Sequence, residues 1–342
     1  MQPQVRIALP SKGHLEEQTL AFLKEAGLRV DKINPRQYSA HMPALPEVLV
    51  LFQRVRDIPK SIAAGDVDLG IAGTDTVLEA LGPDDNRVIT IHEALGYGEC
   101  ELVVAVPHAW IDVDNLDGLA AKAHQNGGLR VATKHVNLAE RFFESKGMPD
   151  IRIVSADGAL ESAPAVGYAD FIVDITSSGI TLHDNHLKPL KDGVICRSQS
   201  VLIGNREALE TREDVLGVTR KLLEFIEAQL RAHGQHMVFA NMRGESEGEI
   251  AERVFSQTEL GGLQGPTVSP IITRDGSGGW WAINIVVPSD RLYTAIQQLR
   301  AIGGSGVIVT PISYIFEERP QRYQRLLAAL GRADLVEANR NS

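Results

Sequence analysis

The amino-acid sequence predicts an α/β protein built from two lobes around a cleft, followed by a smaller domain of βαββαβ order. Short apolar runs alternate with helical patterns over residues 5–203, which is typical of parallel strands covered by helices on both faces. An apolar strand at residues 100–106 leads into a second lobe, and another at residues 201–203 leads back. Beyond residue 234 the order becomes strand, helix, two strands, helix and strand, which is that of the ferredoxin-like unit.

The first lobe is predicted to present polar loops at one edge of its sheet. Its strands are predicted at residues 5–9, 47–52 and 67–72. The turns that follow these strands contain Lys12 and Gly13, Arg54 and Arg56, and Gly73 and Asp75. Ligands of open α/β sheets bind beyond the carboxyl ends of the strands. We therefore expect the three loops to converge on one edge, although any one of these residues alone is equally well a solvated charge or a turn residue.

The second lobe repeats the plan of strand, polar turn and helix. After the strand at residues 100–106, further strands are predicted at residues 129–132, 151–154 and 171–173. The turns after them begin at Thr133, Ser155 and Asp174. The turn that starts at Ser155 is predicted to run into a helix at Glu161.

The octet Asp174-Ile-Thr-Ser-Ser-Gly-Ile-Thr181 is rich in hydrogen-bond donors and poor in core residues. Where such a turn opens a helix, backbone N–H groups converge and the helix N-terminus adds partial positive charge, so a phosphate can be held without a lysine. Gly179 permits close backbone approach. The alternative interpretation is a Ser/Thr-rich turn that only caps a helix.

Composition sets limits on the function. The chain has 342 residues, of which 44% are hydrophobic and 23% charged, as in an ordinary globular protein of two or three domains. Its formal net charge of −10 argues against a nucleic-acid partner. No apolar run approaches the roughly 20 residues of a membrane span, and the first residues lack a secretory pattern. We therefore expect a cytoplasmic protein without a membrane partner.

Neither cysteines nor histidines predict a metal site. Cys100 and Cys196 lie far apart, outside any Cys-x-x-Cys arrangement. His183 and His186 are three residues apart, but no third ligand has a telling spacing. Buried thiols and solvated imidazoles are the simpler interpretation.

Together these stretches resemble the long form of ATP phosphoribosyltransferase, the enzyme family that opens histidine biosynthesis. In the catalytic region the motifs are Ala8-Leu-Pro-Ser-Lys-Gly13, Arg56-Asp-Ile-Pro59, Asp68-Leu-Gly-Ile-Ala-Gly73 with Asp75, Leu102-Val-Val-Ala-Val-Pro107, Val131-Ala-Thr-Lys134 with Asn137-Leu138, Asp157-Gly-Ala-Leu-Glu161 and the run from Ala169 to Leu182. In the C-terminal domain they are Gly265-Pro-Thr-Val-Ser-Pro270, Gly279-Trp280 and Val309-Thr-Pro-Ile312. The sequence departs from the usual pattern at His14, where the family commonly has Arg, and over residues 240–244.

The resemblance implies a domain plan. The catalytic region would have a two-lobed fold like that of periplasmic binding proteins, with lobe I formed by residues 1–95 and 186–212 and lobe II by residues 96–185. A linker helix at residues 213–233 would lead to an ACT-like regulatory domain at residues 234–318 and a tail at residues 319–342.

The resemblance also implies a reaction in which N1 of ATP joins C1 of phosphoribosyl pyrophosphate and pyrophosphate leaves, with Mg²⁺ accompanying the substrate pyrophosphate. Glu161 and Asp174 would act near the reacting ribose. The donor would be bound by Asp174, Thr176, Ser177, Ser178, Gly179 and Thr181. ATP would be bound by Lys12, Gly13, Arg56, Gly73, Asp75 and Lys134. Histidine, as an inhibitor, would meet Thr267 and Ser269, and the chain would form a homo-oligomer, a dimer that becomes a hexamer.

Two other classes share parts of this plan. A prephenate dehydratase also joins a two-lobed domain to a ferredoxin-like one, but the Thr-Arg-Phe triplet of its catalytic domain is missing from the sequence. A non-catalytic protein that binds a small ligand between two lobes is the other alternative. Release of pyrophosphate from the two substrates distinguishes the transferase from both.

Overall fold

The structure is a computed structural model that describes residues 4–32, 34, 37–274, 276, 278–318 and 320–332. The chain divides into two compact units, residues 1–223 with 320–342, and residues 224–319. The division falls inside one long helix, Glu213–Ala232, which the sequence predicts as a linker. Residues 333–342 of the predicted tail lie outside the described residues.

The first unit contains eleven strands in its described part. They are β1 (Val5–Pro10), β2 (Ser39–His41), β3 (Val48–Gln53), β4 (Leu69–Gly73), β5 (Val88–His92), β6 (Cys100–Pro107), β7 (Leu129–Thr133), β8 (Ile151–Ser155), β9 (Phe171–Thr176), β10 (Leu187–Ser198) and β11 (Ser200–Asn205). Its α-helices are α1 (His14–Glu25), α2 (Ile58–Ala63), α3 (Thr74–Leu81), α4 (Leu116–Gln125), α5 (Val136–Ser145), α6 (Ile180–Asp184), α7 (Arg206–Thr211), the first part of α8 (Glu213–Ala232) and α11 (Gln321–Ala329). Strands β2, β5 and β10 and helices α4 and α7 were not predicted from the sequence.

Lobe I is a six-stranded sheet in the order β2-β3-β1-β4-β11-β5. Its centre is parallel, since β1 pairs in parallel with both β3 and β4. Pro10 lies opposite Gln53, and the backbone N–H of Ser11 donates to the carbonyl of Gln53 over 2.9 Å. The loops after β1 and β3 therefore leave the sheet side by side at one edge, as predicted.

Lobe II is a five-stranded sheet in the order β10-β6-β9-β7-β8. Strand β7 pairs in parallel with β8 and β9, so the turns after these three strands share an edge. The ring of Phe143 on α5 packs edge to face on Phe171 of β9, with the centroids 6.0 Å apart. This contact lies in the lobe core and fixes α5 against the strand that leads to the octet.

The predicted return to lobe I at residue 186 is wrong. Strand β10 pairs antiparallel with β6 of lobe II, and only β11 rejoins the first sheet. The apolar pattern of β10 is interrupted by Pro189, Asp192 and Gly193, and its pairing shifts register near Val194. An edge strand tolerates such irregularity, which explains why periodicity did not reveal it.

The second unit has the predicted βαββαβ order. Its elements after α8 are β12 (Gln235–Arg243), α9 (Glu247–Phe255), β13 (Thr267–Pro270), β14 (Trp280–Pro288), α10 (Leu292–Ala301) and β15 (Ser305–Pro311). The four strands form an antiparallel sheet in the order β13-β14-β12-β15. Its core includes Ile250 and Val254 of α9 and Leu299 of α10. The fold is thus α/β throughout: a two-lobed region of the periplasmic-binding-protein type and an ACT-like domain.

Candidate active site

The octet 174–181 was predicted as a turn that follows a strand of three residues, but the structure differs. Strand β9 continues through Asp174 and Ile175 to Thr176, and the turn itself is confined to residues 177–179. The Thr176 hydroxyl oxygen accepts a hydrogen bond from the Gly179 N–H over 3.0 Å. Gly179 has φ +75° and open space on its Cβ side. The helix that follows, α6, has only five residues, so any phosphate affinity rests on the turn's own N–H and hydroxyl groups rather than on a long helix dipole.

Asp174 and Lys134 meet at the carboxyl ends of neighbouring strands. The Lys134 Nζ lies 3.4 Å from Asp174 Oδ1, and the Asp174 side chain is almost fully buried. Strands β7 and β9 are paired in parallel, which brings the two turns together although 40 residues of sequence separate them. The structure thus places a carboxylate and an ammonium group beside the hydroxyl-rich turn.

Glu161 lies in a short 3₁₀ helix, Leu160–Ser162, rather than in the helix predicted after Ser155. The residue that precedes this helix, Ala159, has a left-handed backbone with φ +48°, a conformation that is uncommon for a residue with a side chain. In the same loop, Asp157 accepts a hydrogen bond from Arg56 of lobe I over 3.2 Å. This contact shows that the loop edges of the two lobes face each other.

The remaining lobe I residues lie where β1 and β4 end: Lys12 and Gly13 are in the turn after β1, Gly73 is the last residue of β4, and Asp75 is in the first turn of α3. Lys12 is exposed and makes no ion pair with the described residues. Gly13 has φ +76°, which suits a tight turn into α1. Gly73 has ordinary extended backbone, but a Cβ there would lie 2.4 Å from Asp75 Oδ1. A side chain at position 73 is therefore excluded by the carboxylate of Asp75.

Asp75 is buried in a polar cluster that spans both lobes. The Ser198 hydroxyl donates to Asp75 Oδ1 over 2.6 Å and accepts from the Asp75 N–H over 3.0 Å. His135 Nε2 of lobe II lies 3.8 Å from Asp75 Oδ2, and neither ring nitrogen has a hydrogen-bond partner among the described residues. Burial lowers the pKa of His135 despite the nearby carboxylate, so the imidazole is neutral near pH 7. Neither Ser198 nor His135 is predicted as a site residue from the sequence.

The two thiols beside this cluster are held in the protonated form. Burial, reinforced by the negative charge of Asp75, raises the pKa of Cys100 and brings that of Cys196 to about 11. The reactive form of cysteine is the thiolate, and both side chains are protonated near neutral pH.

No group of three or more His, Cys, Asp or Glu side chains in the described ranges is arranged to hold a metal ion. Mg²⁺ commonly uses one or two carboxylates together with substrate phosphates. The Asp174 carboxylate beside the turn fits an ion that arrives with substrate phosphates rather than one held in a protein cage.

In the second unit, Thr267 and Ser269 lie on the edge strand β13. Thr267 is one of the residues that line a cavity of about 490 Å³, together with Arg231, Met237, Asn284 and Glu317. Ser269 is not among the lining residues.

Fold and site define a class: an α/β protein with two lobes whose loop edges face one another and carry a hydroxyl-rich turn, a lysine and several carboxylates. A family model described as ATP phosphoribosyltransferase matches residues 54–228, and one described as HisG, C-terminal domain, matches residues 232–314. The chain belongs to the ATP phosphoribosyltransferase family, in the long form that carries the additional C-terminal domain. It is accordingly a transferase of the pentosyltransferase kind.

Individual relatives agree with this assignment. The Arabidopsis thaliana protein named ATP phosphoribosyltransferase 1, chloroplastic, is 45% identical over 335 residues, which cover 96% of this chain and 81% of the relative. The ATP phosphoribosyltransferase of Bradyrhizobium sp. (strain ORS 278) is 38% identical over 330 residues, covering 95% and 98%. A solved structure, the ATP phosphoribosyl transferase (HisG:HisZ) complex from Thermotoga maritima, matches with a TM-score of 0.52 and 29% identity over 66% of this chain and 99% of that chain. These matches favour the transferase over the lyase and the non-catalytic binding protein.

In the described part of the chain, no helix combines the length and the apolar character needed to cross a membrane.

Proposed function

We propose that the cleft between the two lobes joins N1 of ATP to C1 of phosphoribosyl pyrophosphate and releases pyrophosphate, as the first step of histidine biosynthesis. The observation that carries this proposal is the Lys134–Asp174 pair beside the hydroxyl-rich turn, on a lobe edge that faces the loops of Arg56 and Asp75. Such a cleft suits two anionic substrates that must be brought together. No covalent nucleophile is required.

The donor is proposed to bind at lobe II, with its 5′-phosphate on the turn that begins at Thr176. The side chains of Ser177, Ser178 and Thr181 are exposed and can donate hydroxyl protons. The open space at Gly179 allows a phosphate oxygen to approach the backbone. Because the Thr176 hydroxyl oxygen already accepts from the Gly179 N–H, the turn is pre-folded and little ordering is needed when phosphate binds.

Asp174 and Glu161 are proposed to stabilise the ribose as its C1–O bond to pyrophosphate breaks. Displacement at an anomeric carbon develops positive charge on the ring, which nearby carboxylates stabilise electrostatically. Lys134 holds Asp174 in place through the 3.4 Å contact and adds a cation on the side of the departing pyrophosphate.

ATP is proposed to bind mainly at lobe I, where its strands end, to Lys12 and Gly13, Arg56, and Gly73 with Asp75. Lys134 of lobe II is proposed as a further contact. Arg56 is engaged with Asp157 by an exposed pair. Exposed pairs contribute little stability, so the guanidinium can exchange Asp157 for a phosphate at small cost. Lys12, with no ion pair among the described residues, is the other cation available for phosphate.

Mg²⁺ is proposed to accompany the pyrophosphate group, with Asp174 or Glu161 as the nearest carboxylates. The ion would offset negative charge on the leaving group. The contribution of the protein is to orient that charge, through Lys134.

The experiment that tests the proposal is an assay of the purified chain with ATP, phosphoribosyl pyrophosphate and Mg²⁺. We expect release of pyrophosphate together with an N1-ribosylated nucleotide. Folded protein that forms neither product under these conditions contradicts the proposal.

We further propose that histidine inhibits the enzyme by binding near Thr267 and Ser269, and that the chain assembles as a dimer that becomes a hexamer. The cavity beside Thr267 supports the first part, because its lining combines an arginine, carboxylates and an amide that can meet an amino acid. Titration of histidine in the assay, with the mass followed by light scattering, tests both parts. A cytoplasmic location stays a prediction, and two plant relatives are named as chloroplastic.

A further inference from the structure

Helix α5 of lobe II is capped by a residue of the other lobe. The first N–H groups of a helix lack partners within the helix, and the residue before α5, His135, provides no side-chain cap. Instead the carboxylate of Glu79, on α3 of lobe I, accepts from the N–H groups of Asn137 and Leu138 over 3.0 and 2.9 Å. An acidic group at this position also complements the helix dipole.

The same contact satisfies the opposite end of α3. The last carbonyls of a helix are likewise without intrahelical partners. The Asn137 side-chain amide donates to the carbonyl of Glu79 over 2.9 Å. The Arg141 guanidinium donates over 2.7 Å to the carbonyl of Leu78, which also accepts from the Gly82 N–H at the end of the helix. The C-terminal end of α3 and the N-terminal end of α5 therefore cap each other across the two lobes.

This reciprocal cap lies directly behind the site. Helix α3 starts at Thr74 and carries Asp75 in its first turn, whereas α5 starts two residues after Lys134. A shift of α5 relative to α3 would move Lys134 and the adjacent His135 relative to Asp75. The spacing between the nucleotide side and the donor side of the cleft thus depends on this cap, in which the Glu79 carboxylate accepts two of the four hydrogen bonds.

We infer that Glu79 is a positioning residue for phosphoribosyl transfer, one that sets the spacing between the lobes without contacting either substrate. This inference rests on the proposed placement of ATP on lobe I and of the donor on lobe II. The rate of reaction between two bound substrates falls steeply when they are misplaced, so loss of the cap should reduce turnover. Because the donor turn lies wholly in lobe II, donor binding alone should be preserved.

The test compares Glu79→Gln and Glu79→Ala with Glu140→Gln, a matched control on α5 that removes the same charge from an exposed position. For each protein, kcat and both KM values are measured, and donor affinity is measured by calorimetry with Mg²⁺ and without ATP. We expect kcat to fall about tenfold in Glu79→Gln and up to about a hundredfold in Glu79→Ala, with unchanged donor affinity. The Glu140→Gln control should match the wild type.

A second readout does not depend on catalysis. Hydrogen exchange of the Asn137 and Leu138 amides should accelerate in Glu79→Ala and stay unchanged in Glu140→Gln, because the Glu79 carboxylate accepts from both N–H groups. Faster exchange with unchanged kcat overturns the positioning role, as does equal loss of kcat and donor affinity, which indicates general damage to the fold. An inactive wild type overturns the proposed function and this inference together, whereas an active wild type with an unaffected Glu79→Ala overturns this inference alone.

Discussion

Ser198 and Asp75 form a closed pair of hydrogen bonds at the crossover between the lobes. The serine hydroxyl donates to the aspartate carboxylate over 2.6 Å and accepts from its backbone N–H over 3.0 Å, and both residues are buried. The pair ties the first turn of α3 to the end of β10. The orientation of Asp75, which we propose to contact the nucleotide, is therefore set by a residue of the other lobe's edge strand.

Replacement of this serine should weaken use of ATP. In Ser198→Ala, both the buried carboxylate and the backbone N–H of Asp75 lose their hydrogen-bond partner. A hydrogen bond to a charged group contributes about 1.5–3 kcal/mol. We expect kcat/KM for ATP to fall about tenfold or more, while the affinity for the donor alone is unchanged. Steady-state kinetics and donor calorimetry measure the two quantities.

The matched control for that variant is Ser200→Ala, because Ser200 is equally buried and lies two residues further along the same crossover. The control should retain the wild-type constant for ATP. If Ser198→Ala lowers only the melting temperature and leaves kcat/KM for ATP intact, the pair is structural and Asp75 does not depend on it for binding.

The Gly179 turn yields a second prediction. In Gly179→Val the new side chain enters the space proposed for the 5′-phosphate, and the positive φ adds backbone strain. The KM for phosphoribosyl pyrophosphate should rise by about tenfold or more.

Strain can be separated from phosphate binding by Gly167→Val. Gly167 has φ +73°, close to the +75° of Gly179, and likewise has no atom within 4 Å of its Cβ position, but it precedes β9 rather than following it. We expect Gly167→Val to leave the donor KM unchanged. If both variants raise the donor KM equally, backbone strain explains the increase and the turn does not bind the donor.

The strand ends of this site follow from local sequence, whereas the residues that join the two lobes do not. The positions of Lys12, Asp75 and Lys134 at strand ends were predictable, because each follows a short, largely apolar strand and parallel strands end at one edge. Ser198 was not, since it ends a strand that is broken by Pro189 and Gly193. Glu79 was hidden for a different reason: it caps a helix that begins 57 residues later, in another lobe. Such partners depend on how the lobes are packed, which periodicity does not report.

The Lys134–Asp174 contact predicts coupling between the two residues. Lys134→Gln leaves a nearly buried carboxylate without its cation, and Asp174→Asn removes the charge that Lys134 meets. In a double-mutant cycle on kcat/KM for the donor, we expect the double variant to be less impaired than the sum of the single variants, with a coupling of about 0.5–3 kcal/mol. Strictly additive losses would show that the two side chains act independently.

The control for this cycle is a lysine–aspartate pair of the same lobe outside the proposed site. Lys188 Nζ lies 2.6 Å from Asp114 Oδ1. Lys188→Gln should leave kcat/KM for the donor unchanged, since a more exposed pair contributes little. A loss equal to that of Lys134→Gln would mean that the assay reports general electrostatics and not the site.

His92, the last residue of β5, is expected to make the stability of the protein depend on pH. Its side chain is fully buried, and burial together with the positive charge of Arg322 lowers its pKa to about 4. In the unfolded chain the imidazole titrates near its ordinary value of about 6.5. Below that pH the unfolded state binds a proton that the folded state does not accept until about pH 4, so stability is lost as pH falls through this window. One group contributes about 1.4 kcal/mol per pH unit, hence about 3 kcal/mol in total.

The variant His92→Asn tests this dependence, because its amide oxygen can still accept from the Ala94 N–H that now donates to His92 Nδ1. Urea unfolding measured between pH 4 and 7.5 should show a shallower fall in the free energy of unfolding for His92→Asn than for the wild type. His124→Asn, at an exposed position, serves as the control and should follow the wild-type curve. If the free energies of unfolding of the wild type and His92→Asn fall in parallel, groups other than His92 cause the loss of stability at acid pH.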